Sequence, residues 1–166
     1  ADMINKATGS QINSLMVRGY LQEGHSLPKA SPREDYEGAV SFGVPGVYKN
    51  LLKLDLLSLY PSIIIQYKIE DKEKDPFGYM QMFINYVLNQ RVHHKKLAKE
   101  GSKYSDDMQL SLKTLANSVY GFLGAPGLLF NSPKCASEVT RKGREILEQG
   151  IKWATGETIE YWKSKI

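Results

Sequence analysis

The sequence predicts an α+β fold that is rich in helix, with a partial sheet of a few antiparallel strands and a projecting hairpin of two long helices. Three observations lead to this prediction. Apolar residues recur at helical spacing in the stretches 1–23 and 77–99. An almost continuous apolar run at 51–57 is typical of a buried strand. Stretches that contain glycine and proline separate these segments, as connecting loops do.

The composition is that of a globular protein. The 166 residues suffice for one domain with a core, or for a core with a projecting subdomain, and 42% of them are hydrophobic and 24% charged. No apolar run approaches the roughly 20 residues of a membrane helix. A single cysteine, Cys135, excludes an internal disulfide and zinc-type cysteine clusters, which fits a reducing compartment. We therefore expect a cytoplasmic protein with no membrane partner, and the net charge of +4 mildly favours a polyanionic one.

The first third of the chain combines a helix with the predicted sheet. Residues 1–23 are predicted to form the helix, whose apolar face carries Ile12, Leu15, Met16 and Tyr20. A polar linker at 24–35 follows, and the stretches 39–42 and 47–57 are predicted to pair as antiparallel strands. Pro61 is then compatible with the first turn of a short helix that runs towards residue 67.

The remainder is predicted to be mainly helical. A charged loop at 70–76 precedes a helix at 77–99, which Gly101 ends, and residues 105–107 cap a second helix that runs to about residue 120. Glycines and a proline at 121–127 break that helix, a last helix follows at 133–153, and a short strand is predicted at 158–162. The chain thus divides into the parts 1–69, 70–121 and 122–166, the middle part being the helical hairpin.

Asp55 is the first candidate for chemistry. It lies near the end of the predicted buried strand, where an ionised carboxylate requires a cation or hydrogen-bond donors to compensate its burial. The turn at 58–62 follows it and offers free backbone N–H groups. This arrangement suits a metal-bound triphosphate. The alternative is a strand-end aspartate that caps the next helix.

Basic residues on the two hairpin helices form the second candidate. Arg91 and Lys95 are four residues apart, and Lys113, Asn117 and Tyr120 also share one helix face. If the helices are antiparallel, the three cations can form a cluster above Asp55 that binds phosphate oxygens. The alternative is an ordinary solvated face, with His93 and His94 at the surface. For Cys135 the simplest interpretation is a small core residue.

Taken together, these motifs resemble those of family B DNA polymerases. Residues 55–62 resemble the first palm motif, D-x-x-S-L-Y-P-S, and residues 113–121 resemble the fingers motif, K-x-x-x-N-S-x-Y-G. Arg91 and Lys95 resemble the basic pair of the first fingers helix. Residues 36–39 resemble the Y-x-G-G/A segment between exonuclease and polymerase regions. The resemblance covers nearly the whole chain, and the short hairpin is similar to that of cellular, archaeal or viral replicative enzymes.

The resemblance implies a role for each matched residue. Asp55 and the carbonyl of Leu56 would hold the catalytic Mg²⁺ pair. The dNTP would be bound by the backbone of Ser58 and Leu59, by Tyr60 under the deoxyribose as a gate against a 2′-hydroxyl, and by Arg91, Lys95, Lys113 and Asn117. Tyr120 and Gly121 would line the nascent base pair together with Asn117, and Tyr36 and Gly38 would contact the template backbone. The three parts of the chain would be an N-terminal helix, linker and first part of the palm, then the fingers, then a return to the palm.

One element of the family pattern is absent from this sequence. Family B enzymes carry a second acidic motif close to Y-G-D-T-D-S, whereas no Asp-x-Asp occurs here, and Glu157 and Glu160 lack the context of that motif. Exonuclease motifs and a thumb are absent too. We therefore expect a polymerase fragment, from a split gene, a truncated viral or environmental reading frame or a shortened chain. It would bind dNTPs and primer–template DNA but be inactive alone.

The expected partners are a complementing chain that carries the second acidic motif and thumb, or a second copy of this chain. Two alternative functions remain open at this point. One is a non-catalytic nucleic-acid-binding or scaffold module with the polymerase fold. The other is a different template-directed nucleotidyltransferase with a similar palm.

Overall fold

The computed structural model describes residues 7–166, and helices are the only regular secondary structure in that range. Residues 1–6 of the first predicted helix lie outside the described range. No helix within it is both long enough and apolar enough to cross a membrane. The six helices are α1 (Thr8–Gln22), α2 (Leu59–Gln66), α3 (Tyr79–Lys99), α4 (Lys103–Gly124), α5 (Pro133–Thr155) and α6 (Ile159–Lys163).

Helix α4 is the centre of the packing, since α1, α2, α3 and α5 all contact it. The core consists of apolar side chains from these five helices and from the loop before α5. Its fully buried members are Ile12 and Tyr20 of α1, Ile63 and Ile64 of α2, Ile84 and Val87 of α3, Val119 and Phe122 of α4, and Ala136 and Val139 of α5. Ile12, Met16 and Tyr20 of the predicted apolar face of α1 are buried, whereas Leu15 is 52% exposed.

Helices α3 and α4 pack side by side across a short turn, and both predicted helices are confirmed. Gly101 adopts φ +99° after the last turn of α3, a conformation that glycine reaches without strain. The prediction of the cap of α4 at 105–107 is wrong, because the side chain of Ser102 accepts the hydrogen bond from the backbone N–H of Ser105. Ser102 stands just ahead of the first turn, where the capping oxygen has to be.

The predicted break at 121–127 is confirmed, although α4 runs past residue 120, where its end was predicted, and continues through Gly121 to Gly124. Proline, rather than glycine, ends this helix. Ala125 precedes Pro126 and adopts ψ 125°, the extended conformation that proline imposes on the residue before it.

The buried carboxylate of Asp75 organises the start of α3. It accepts hydrogen bonds from the backbone N–H groups of Tyr79 and Met80, each at 2.9 Å. The Tyr20 hydroxyl of α1 donates a further hydrogen bond to it and accepts one from the N–H of Phe77 at 3.1 Å. Asp75 therefore satisfies free N–H groups at the helix N-terminus and joins α3 to α1.

The predicted partial sheet of antiparallel palm strands is wrong: the described residues contain no strand. Residues 39–42 and 47–57 do not pair, and Leu51 and Leu54 are 78% and 62% exposed rather than buried. Asn50 adopts φ +57°, which interrupts the extended chain within the longer stretch. An apolar run forms a strand only when a neighbouring chain satisfies its backbone groups, and no described segment does so here.

The short strand predicted at 158–162 is wrong as well, since these residues overlap α6. Gly156 ends α5 with φ +77°, and Thr158 then caps α6 by accepting a hydrogen bond from the N–H of Tyr161 at 3.3 Å. A Gly followed closely by a capping Thr is the sequence of a helix end and a new helix start.

Candidate functional site

Three tyrosines from three separate predicted motifs meet beside the core. The ring of Tyr60, from α2, lies 4.8 Å from the ring of Tyr120, from α4. The hydroxyl of Tyr36, from the segment before α2, contacts the hydroxyl of Tyr120 at 3.4 Å. Residues that are up to 84 positions apart in sequence thereby form one aromatic cluster, which we call the tyrosine cluster.

Two helix glycines allow the tyrosine cluster to lie close to α4 and α5. A Cβ atom on Gly124 would stand 2.5 Å from the hydroxyl of Tyr36, and a Cβ on Gly143 would stand 3.2 Å from the ring of Tyr60. Glycine inside a helix is less favourable than alanine by about 1 kcal/mol. The close approach of the tyrosines gives these two glycines a structural reason.

Helix α5 also holds the backbone next to Tyr36. The guanidinium of Arg144 donates hydrogen bonds to the carbonyls of Glu37 and Gly38, at 2.9 and 2.6 Å, and pairs with the carboxylate of Glu37 at 3.1 Å. The hydroxyl of Thr140 donates to the carbonyl of Glu37 at 2.9 Å. Residues 36–38 are thus attached to α5 through their main chain.

The surroundings of Tyr60 and Tyr120 raise the pKa of both phenols. Burial raises the pKa of Tyr60, Tyr120 raises it further, and the positive charge of Arg144 partly opposes the shift. Burial and then the hydrogen bond with Tyr36 raise the pKa of Tyr120 to about 12. Neutral phenols in this position offer flat rings and hydrogen-bonding hydroxyls.

A second contact joins the turn before α2 to α3. A terminal N–H of the Arg91 guanidinium donates a hydrogen bond to the hydroxyl of Ser58, and Arg91 is only 7% exposed. Its Nε atom has no partner within the described residues. Ser58 adopts φ +51°, in the left-handed region, and Leu59 behind it packs against the core. The two predicted phosphate-binding residues Ser58 and Arg91 are therefore neighbours.

Other predicted residues lie on the exposed surface of the helix pair. Lys95 of α3 and Lys113 and Asn117 of α4 are exposed to solvent. Gly121 is exposed too, and an added Cβ would meet no atom within 4 Å. The fold itself therefore does not require a glycine at this position.

Asp55 and Leu56 lie in the exposed stretch before α2. The carboxylate of Asp55 accepts a hydrogen bond from the N–H of Leu56 at 3.0 Å. Across residues 7–166 no three histidine, cysteine or acidic side chains converge on a possible metal position.

The structure also identifies site residues that the motifs do not include. Thr140, Gly143 and Arg144 of α5 hold Tyr60 and the segment 36–38, yet none belongs to a predicted motif. A glycine within an otherwise helical pattern was the signal, because such a residue usually has a packing reason. Cys135, by contrast, is buried in the core as predicted, and burial raises the pKa of its thiol.

Comparison with known proteins relates the chain to polymerases. The sequence profile described as DNA polymerase family B matches residues 71–163. The DNA polymerase of Archaeoglobus fulgidus is 28% identical over 179 residues, which cover 92% of this chain and 23% of that protein. The DNA polymerase of Thermococcus gorgonarius is 28% identical over 91% of this chain and 24% of its own length. DNA polymerase II of Escherichia coli is 31% identical over 76% of this chain and 18% of its own length.

The chain thus spans about a quarter of the length of the archaeal relatives that it matches. The profile match begins within the charged loop before α3 and covers both helices of the hairpin and α5. Lys95, Lys113 and Asn117, together with the newly identified Arg144, lie inside that match.

Proposed function

The chain belongs to DNA polymerase family B, and on this premise we propose that it forms the part of a DNA polymerase that binds the incoming dNTP and the primer–template. Nucleotidyl transfer to a primer 3′-hydroxyl is the reaction that this part serves. The chain alone is proposed to bind both substrates without extending the primer.

The observation that carries the proposal is the tyrosine cluster. It joins Tyr60, the proposed sugar gate, to Tyr120, the proposed contact of the nascent base pair. It also joins Tyr36, in the proposed template-binding segment, to Tyr120. A polymerase has to read the sugar, the base pair and the template at one place, and packed aromatic rings are suited to stacking with sugars and bases.

The phosphates are proposed to bind where α3 and α4 face the turn before α2. Arg91 and Ser58 already touch, and the Nε–H of Arg91 is buried without a partner among the described residues, so we propose that it turns towards a phosphate oxygen when the nucleotide binds. Lys95 and Lys113 add exposed positive charge, and we place Asn117 beside the base. The backbone N–H groups of Ser58 and Leu59 complete the proposed triphosphate contacts.

Mg²⁺ is the proposed metal, with Asp55 and the carbonyl of Leu56 as ligands. Because this part of the chain supplies only one carboxylate there, we propose that a complementing polymerase chain provides the second acidic motif and the thumb. The exposed apolar side chains of Leu51 and Leu54 offer that chain a surface on which to dock.

Fluorescence anisotropy with a labelled primer–template tests DNA binding by this chain. We expect binding that weakens as salt increases, and a weaker affinity for Lys95→Ala and Lys113→Ala. Lys152→Ala, which removes an exposed lysine near the end of α5, is the control and is expected to bind like the wild type. Equal affinity for all four proteins would exclude a contribution of Lys95 and Lys113 to DNA binding.

Primer extension with Mg²⁺ and dNTPs tests the need for a partner. No incorporation by the chain alone is expected. Extension by the chain alone would overturn the proposal that the second carboxylate comes from elsewhere.

The second candidate is a nucleic-acid-binding or scaffold module that keeps the polymerase fold without the reaction. The absence of a carboxylate cluster among residues 7–166 is the observation that favours it. Calorimetric titration with Mg²⁺–dNTP discriminates between the two. Binding that is weakened by Asp55→Ala and Lys113→Ala supports the polymerase site, whereas binding that neither change affects supports the scaffold.

A further inference from the structure

Within about one turn, helix α5 contacts both the ring of Tyr60 and the segment 36–38, which contains Tyr36. Gly143 supports the ring of Tyr60, and the next residue, Arg144, holds the carbonyls of Glu37 and Gly38. Thr140, one turn earlier, holds the same carbonyl of Glu37. The helix therefore fixes where Tyr60 lies relative to the segment 36–38.

We propose that α5 is a positioning element for sugar discrimination, in which Arg144 anchors residues 36–38 and Gly143 sets the position of Tyr60. This inference rests on the proposed function, because it assigns the gate role to Tyr60. Neither residue touches the nucleotide in this proposal. Both act through the groups that they hold.

The contacts explain why these residue types are needed. The planar fork of an arginine reaches two consecutive carbonyls and a carboxylate at once, which a lysine cannot do. A side chain at position 143 would meet the ring of Tyr60 at 3.2 Å, so the ring or α5 would have to move by a few tenths of an ångström. A gate that excludes one hydroxyl group is sensitive to displacements of this size.

Limited proteolysis of this chain with a glutamate-specific protease tests the anchoring step. The bond after Glu37 carries the carbonyl that Arg144 and Thr140 hold, and Glu37 itself is exposed. Arg144→Gln is expected to speed cleavage at this bond about tenfold, because cleavage follows the population of the released segment. The cleavage rate of Arg144→Lys should fall between those of Arg144→Gln and the wild type.

Arg141→Gln is the matched control for this experiment. Arg141 lies on the same helix and pairs with Glu138 and Glu145 instead of with the segment 36–38. Its substitution should leave cleavage after Glu37 unchanged. Thr140→Val removes one hydrogen bond to the carbonyl of Glu37 and should speed cleavage after Glu37 less than Arg144→Gln does. Unchanged cleavage in both Arg144→Gln and Thr140→Val, with helical circular dichroism retained, would overturn the anchoring role.

Nucleotide binding tests the discrimination step. The dissociation constants of dATP and ATP are measured with Mg²⁺ and a primer–template that has thymine as the templating base. Gly143→Ala is expected to lower the preference for dATP severalfold without changing cleavage after Glu37. Gly150→Ala is its control, since Gly150 is on the same helix and an added Cβ meets nothing within 4 Å. An unchanged preference in Gly143→Ala would overturn the role of this residue.

The proteolysis and nucleotide-binding experiments distinguish a failure of this inference from a failure of the proposed function. If the wild-type chain binds neither nucleotide, the proposed function fails and the discrimination role fails with it, while proteolysis still decides the anchoring role. If the wild type prefers dATP and the α5 variants behave like their controls, the proposed function stands and this inference is overturned.

Discussion

The hydrogen bond between Tyr20 and Asp75 should be a main determinant of stability. Tyr20 is completely buried, and its hydroxyl is the only group that Tyr20→Phe removes. The variant loses a hydrogen bond to the Asp75 carboxylate and leaves the N–H of Phe77 without its acceptor. The stacking of the Tyr20 ring on Phe77 and Phe130 is retained, so the change isolates the hydroxyl.

The magnitude follows from these contacts. A hydrogen bond to a charged group contributes about 1.5–3 kcal/mol. The half-buried N–H of Phe77 can recover a water partner and adds little. Asp75 keeps its two hydrogen bonds from the backbone of α3. We expect the free energy of unfolding to fall by about 2–3 kcal/mol, and the melting temperature to fall by about 5–10 °C in a chain of this length.

Urea denaturation followed by circular dichroism measures this loss. The control is Tyr79→Phe, because the hydroxyl of Tyr79 makes only a long hydrogen bond, of 3.4 Å, to the Glu23 carboxylate, and this bond is exposed to solvent. That change should lower the free energy of unfolding by less than about 0.5 kcal/mol. If Tyr20→Phe were no more destabilising than Tyr79→Phe, the proposed link between α1 and the start of α3 would be refuted.

Three further predictions concern the site. Gly121→Ala should raise the free energy of unfolding by about 0.5–1 kcal/mol, since the position is helical and an added Cβ meets no other atom. The same change should weaken primer–template binding. Urea denaturation measures the first effect and fluorescence anisotropy the second. Asp55→Asn should leave the urea midpoint unchanged, because the side chain is exposed, while calorimetry shows weaker Mg²⁺–dNTP binding. The pKa of Tyr120 is raised from 10.0 to about 12 in the folded chain. The associated contribution to stability is therefore complete below pH 10 and is lost as the pH rises to about 12. Urea denaturation from pH 9 to 12 should therefore show a shallower alkaline loss for Tyr120→Phe than for the wild type, with Tyr86→Phe, an exposed position, behaving like the wild type.

The helices could be predicted because their signals are local. The period of apolar residues placed α3 and the end of α1 to within two residues, although α1 begins at Thr8, later than predicted. Pro133 begins α5, where a proline is compatible with the first turn. Helix ends were less accurate. Gly121 looked like a stop signal, but its effect was weaker than that of the proline five residues later, which blocks the backbone directly.

The strands could not be predicted from the same kind of signal. The apolar run at 51–57 meets the sequence criterion for a buried strand, yet in this structure Leu51 and Leu54 remain exposed. A strand depends on hydrogen bonds to another segment, which its own residues do not encode. Helix backbone hydrogen bonds are internal, and this difference explains why one prediction was confirmed and the other was wrong.

The site, like the fold, could be predicted only in part: the residues could be identified from the sequence, but their contacts could not. The motifs identified Tyr36, Tyr60 and Tyr120 as residues of interest, and the sequence profile relates the chain to family B polymerases. Nothing in the motifs indicated that these tyrosines touch one another. Arg91 was expected in a cluster of cations above Asp55, with an ordinary solvated face as the alternative, whereas the structure buries it against Ser58.

By itself, the sequence determined the family, the helices and the identity of the candidate residues, because all three are written in local order and spacing. Only the tertiary structure decided that Tyr36, Tyr60 and Tyr120 form one cluster and that Arg144 contacts the carbonyls of Glu37 and Gly38 beside it. These contacts join segments up to 107 positions apart, as from Glu37 to Arg144. Such pairs are brought together by the burial of the shared core around α4, and no local signal in the chain reports them.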